Sequence, residues 1–188
     1  MLINPGTIPP DFPVRIAIAV GERWTMPGWN FGPLLSSGPL SDTRIFYIPV
    51  FVSKATTFIR IGVYVQVLQV GGLIRLGIYA NNNGVPGVRL LNAGTISTTT
   101  TGAKEIVINT PLARGAYWLA ARAEGPGTAE LLTIDPAQGW SSPFGDLSSG
   151  LGVGGRPLVG VTGAWADPAT APTLLLPVNY MAIFLRDV

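Results

Sequence analysis

Ten carboxylates are the only common general acids and bases this sequence retains, because it contains neither His nor Cys. That absence removes the Ser-His-acid triad, the thiolate nucleophile, disulfides, and imidazole or thiolate metal sites. The Asp and Glu residues are dispersed, and none stands in a glycosidase-like or metal-binding motif. No catalytic residue, metal ligand or cofactor site is therefore expected. The glycines of GLGVGGRP, residues 150–157, lack the Gly-Lys-Ser/Thr ending of a phosphate loop and read as a loop. The stretch NNNGVPG, residues 81–87, offers amide oxygens but no carboxylate to a hard cation. It reads as turn chemistry, with Asn and Gly accepting positive φ and Val85-Pro86-Gly87 making a second tight turn.

Aromatic residues carry more information. Trp24, Trp29 and Phe31 lie in WTMPGWNFGP, a segment too rich in Pro and Gly to form a core of its own. They suit an arm laid on a neighbouring subunit, with large aromatics as anchors, or an arm folded back over its own domain. Trp140, Phe144 and Trp165 lie in DPAQGWSSPFGDLSSG and VTGAWADPATAP. In a long loop region such rings stack on sugars, anchor a partner, or cap the open end of a fold.

The elements that position these residues read as strands. With 24 Gly and 17 Pro, helices of ordinary length would be broken almost everywhere. From Phe58 to Val67 the sequence alternates, with Ile59, Ile61, Val63, Val65 and Val67 on an expected core face and Phe58, Arg60, Gly62, Tyr64 and Gln66 opposite. Similar runs are VRIAIAV, TRIFYIPVFV, LIRLGIYA, KEIVIN, AYWLAARA and NYMAIFLR, separated by Pro-Gly, Asn-Gly and Gly-Gly. The phrase RIGVYVQ recurs fifteen residues later as RLGIYAN. Taking Gly71-Gly72 as a two-residue hairpin loop sets Val65 opposite Ile78 and Tyr64 opposite Tyr79, both tyrosines outside the core. The pattern predicts an all-β chain: one antiparallel β-sandwich or jelly roll over residues 41–188, a loop region at about 135–175, and an extended Pro/Gly-rich arm over residues 1–40.

Hydrophobic residues make up 47% of the 188 positions and charged residues 12%, with a mean hydropathy of +0.40, so little charge is left to cover the surface. Pro, Gly or a charge interrupts every apolar run well short of the roughly 20 residues of a spanning helix. Cover by other subunits is the expectation. The start, MLINPGTIPPDFPV, has neither the basic region nor the unbroken apolar core of a secretory signal, and no secretion is expected. The net charge of +2 is scattered, without the basic footprint of a nucleic-acid binder. Ten of the twelve basic residues are Arg, a bias that suits interfaces.

The series TTFIRIGVYVQ, RLGIYANNNGVPGVRLLNAGT, TTGAKEIVINTPLARGAYWLAA and the closing AIFLRDV resembles a β-sandwich module of tailed-bacteriophage virion proteins, of the minor tail or tail-fibre type. RIFYIPVFVSKATTF is similar to that module's entry strand, so the resemblance covers roughly residues 44–124 and the last ten. It implies a non-enzymatic structural protein without cofactors, located in the virion. The implied partners are further copies of itself, as a trimer by analogy, other virion proteins, and a host-surface glycan. The leading expectation is a tail-fibre or tail-tip component. A capsid decoration or cement protein is the alternative, and a carbohydrate-binding module of a bacterial surface protein is the alternative from another class. The arm would dock through Trp24, Trp29 and Phe31, and the loops would face outward through Trp140, Phe144 and Trp165.

Overall fold

The computed structural model describes residues 16–19, 22–25, 35–39, 45–125, 129–134, 158–160, 165, 167–169, 173–174 and 180–187. The strands are β1 (Ile16–Ala19), β2 (Glu22–Thr25), β3 (Leu35–Pro39), β4 (Ile45–Val52), β5 (Thr56–Val67), β6 (Leu73–Asn82) and β7 (Val85–Ser97), followed by β8 (Gly102–Leu112), β9 (Gly115–Glu124), β10 (Glu130–Ile134), β11 (Leu158–Gly160), β12 (Thr173–Leu174), β13 (Tyr180–Met181) and β14 (Ile183–Asp187). They form two antiparallel sheets packed against each other, the all-β sandwich that the patterning predicts. One sheet has six strands in the order β12-β11-β4-β9-β6-β7. The other has eight and is built around β5, which pairs with β8 on one side and with β14 and then β10 on the other.

Period-two alternation builds the core between the sheets. Phe46, Ile48, Val50 and Val52 of β4 meet Ile61, Val63 and Val65 of β5, with Ile74, Leu76 and Ile78 of β6 and Ile183 and Leu185 of β14 closing the same cluster. Each fully buried aliphatic side chain of this kind contributes about 1.5–3 kcal/mol.

One expected face is corrected within β5. Opposite β14 the register slips between Phe58 and Arg60, with Ile59 as the extra residue. A bulge of this kind reverses the alternation on one side of itself. Phe58, expected outside, is therefore buried in the core, and Ile59, expected inside, is partly exposed. From Ile61 to Gln66 the expected faces hold, but Val67, expected inside, is 48% exposed where the strand runs into the turn.

The Gly71-Gly72 hairpin is also corrected. β5 and β6 belong to different sheets, so Tyr64 and Tyr79 are not cross-strand neighbours. Tyr64 is 44% exposed outside the eight-stranded sheet, whereas Tyr79 is completely buried on the outer face of the other sheet. The connection is a pinned turn. Gln69 N donates to Thr98 O, Gly72 N to Gln69 O, and Thr98 N to Gly72 O, at 2.9, 3.2 and 3.0 Å. The two phrases share one inside-outside pattern because β5 and β6 line the same core from opposite sides. Alternation alone does not distinguish that arrangement from side-by-side pairing.

The β6–β7 hairpin is the one in which turn chemistry acts as expected: Asn83 and Gly84 both have positive φ, 50° and 87°, which suits a two-residue loop. Val85-Pro86-Gly87, expected as a second turn, instead opens β7. Pro86 is accommodated there because β7 is an edge strand of its sheet.

Candidate functional site

Two surfaces of the sandwich differ sharply in character, and both arise from what lies on the sides of the strands facing away from the core. On the six-stranded sheet, Ile45 and Tyr47 of β4, Tyr79 of β6, and Trp118 and Ala120 of β9 form a second buried cluster. Trp165 and Ala169 pack over it. The rings of Tyr47 and Tyr79 meet edge to face at 5.2 Å, and Trp165 lies 6.2 Å from Tyr79. Gly77 makes room for the Trp165 ring, since a Cβ at that position would stand 2.9 Å from it.

Polar contacts fix this cover. Arg89 donates from Nη1 to Trp165 O at 2.7 Å and from its backbone N to Asp167 Oδ1 at 3.0 Å, and its guanidinium stands 3.5 Å from the same carboxylate. Ala169 N donates to Gly87 O at 2.9 Å. Asn81 Oδ1 accepts from Trp118 Nε1 at 2.9 Å and from Gly84 N at 3.1 Å. Burial pushes the Tyr47 hydroxyl well above the ordinary tyrosine range, and Tyr79 is raised by the same cause. These phenols stay neutral and are not poised to transfer protons near pH 7. Packing is what this cluster does.

The opposite outer face, on the eight-stranded sheet, carries the exposed side chain of Tyr64. Where the neighbour of β5 changes from β14 at Val63 to β10 at Val65, a concavity of about 170 Å³ forms. Gly62, Tyr64, Ala103, Leu132 and Phe184 line it together with the charged residues Lys104 and Glu105. Gly62 is needed, because a Cβ there would come within 2.6 Å of Lys104 O. Glu105 pairs with Arg60 at 3.5 Å. At the nearby end of the sandwich, the turn between β5 and β6 holds Val67, Leu68, Val70 and Leu73 exposed, Val70 to 71%.

The sequence-predicted site residues fall unequally on this structure. Trp165 is half-buried and serves as the anchor of the cover just described. The backbone of Trp24 lies in β2, opposite Ile16 and Arg186. Trp29, Phe31, Trp140 and Phe144 lie outside the described residues. Of the expected arm, β2 pairs with β14 and β3 with β10, so these segments are strands of the chain's own larger sheet.

The concavity escapes sequence reasoning, because its lining comes from β5, β8, β10 and β14. The apolar turn has a local signal, VLQVGGL without a charge. Among the described residues no group of three or more Asp or Glu could hold a metal ion, and no helix is long and apolar enough to cross a membrane. Neither protein-family models nor curated proteins match this sequence.

Proposed function

We propose that this chain is a non-enzymatic structural protein of a tailed-phage virion, a homo-oligomeric tail-fibre or tail-tip component that contacts the host surface. The observation that carries the reading is the distribution of apolar surface. A sandwich with two buried clusters still exposes Val67, Leu68, Val70 and Leu73 at one end, and Val88, Leu90 and Val107 along β7 and β8. Large apolar side chains left exposed on a rigid scaffold are what a subunit interface uses. The resemblance of residues 44–124 and the closing strand to virion sandwich modules points the same way.

In this reading the outward contact belongs to Trp140 and Phe144; the expected loop region 135–175 also contains β11 and β12, which extend the six-stranded sheet from β4, and Trp165, which packs on that sheet. The strands β2 and β3 argue against testing the docking role by deleting residues 1–40. That deletion would strip partners from β14 and β10 and confound docking with folding. Immunogold labelling of intact purified particles separates the assignments. Label at the tail tip is the expected result; label over the head would favour a decoration protein, and particles without label would overturn the virion assignment.

A further inference from the structure

The geometry points to a specific contact between copies: the apolar turn between β5 and β6 of one chain seats in the concavity on the eight-stranded sheet of a second copy. The inference rests on the homo-oligomer reading above and deepens it by naming the two surfaces. The turn is preorganised. Besides its backbone bonds to residue 98, Thr98 Oγ1 donates to Gln69 O at 3.0 Å, and Thr98 itself is buried. Gly71 adopts a φ of 75°, which a residue with a Cβ adopts only at a cost. A turn held this way loses little freedom on binding. It presents Leu68 and Val70 to solvent with no charge between Gln66 and Leu73.

The concavity matches that turn in size and character. Its 170 Å³ has room for one or two aliphatic side chains, and carbon atoms line it almost entirely. Its two charged lining residues already have partners, Glu105 in Arg60 at 3.5 Å and Lys104 in the Thr100 hydroxyl, so an uncharged knob enters without stranding a charge. A lipid surface is disfavoured because the turn carries neither the basic nor the aromatic residues that hold an interfacial segment. Turn and concavity are different patches, so the contact is head to tail, and it closes into a ring such as a trimer when the rotation between copies allows.

The Cys-free sequence provides a direct test. Val70→Cys and Ala103→Cys are made in separate preparations of different size, mixed, and oxidised. A disulfide joining the two sizes is expected, since Ala103 lines the concavity. Disulfides only between Val70→Cys copies, or none while the oligomer persists, would overturn the proposal. Independently, Leu68→Asp with Val70→Asp should weaken self-association roughly thirtyfold or more while leaving the circular dichroism spectrum unchanged, because both side chains are exposed. An oligomer unaffected by that variant defeats the turn contact alone, whereas a monomeric wild type defeats the homo-oligomer reading with it. If Ala103→Arg leaves the oligomer intact but abolishes adsorption to host cells, the concavity serves a host ligand and the proposal falls.

Discussion

Asn81 joins two elements through one side-chain oxygen, accepting from the indole of Trp118 in β9 and from the backbone of Gly84 in the β6–β7 turn. Its neighbourhood was legible as a turn because Asn and Gly beside each other tolerate positive φ. Its bond to Trp118 was not, because that partner lies 37 residues away and is brought near only by the β6–β9 pairing. Asn81→Ala should lower stability by about 1–3 kcal/mol, since it leaves a buried indole N–H without its acceptor. Chemical denaturation of the variant checks this, and unchanged stability would show that another acceptor replaces Asn81. The Phe58–Ile59 reversal has a similar cause. Alternation gives two faces, but a single extra residue decides which face is inside, and both candidates are large and apolar.

At the scale of elements, the strands with clean alternation were readable, and their partners were not. Runs such as KEIVIN and AYWLAARA fall inside β8 and β9. The run NYMAIFLR likewise supplies β13 and most of β14, but its partners are set by distant segments: β13 pairs with β10, β14 with β2 and β5, and β10 with β3 and β5. The crossing from β5 to β6 turns on Thr98. Its hydroxyl and both backbone groups bond to residues 69 and 72, and this hydroxyl lies so close to Gly72 that a side chain there would collide with it. Two glycines in sequence suggest a hairpin, but a buried hydroxyl just beyond the end of β7 gives the turn its path. Thr98→Val should cost about 1–3 kcal/mol through the lost hydrogen bond to Gln69 O, and should speed exchange of the Gln69 and Gly72 amides. Hydrogen exchange read by NMR checks both, and protection equal to that of the parent chain would mean the backbone bonds alone hold the turn.

For the whole molecule, the sandwich has one core between its sheets and a second beneath the Trp165 cover, and the second makes it sensitive to alkali. The Tyr47 and Tyr79 hydroxyls are raised above the ordinary value of 10.0 by burial. A group raised in the folded state contributes stability that is complete below its unfolded value and is lost as pH rises toward its folded one. The chain should therefore lose stability from about pH 10 upward, and in absorbance titration these two phenols should ionise only as it unfolds. Reversible ionisation of every tyrosine near pH 10 without unfolding would contradict the buried cluster. The sparse charge that leaves apolar side chains at the turn and along the edge strands also sets the expectation for assembly. Composition made the excess of apolar residues legible but not where they are exposed, because the exposed positions are set by turn and edge geometry. Sedimentation velocity of the purified 188-residue chain at micromolar concentration tests that central claim most directly. The account predicts a discrete oligomer, a trimer of the 19.8 kDa chain; a single stable species at 19.8 kDa throughout that range would contradict it.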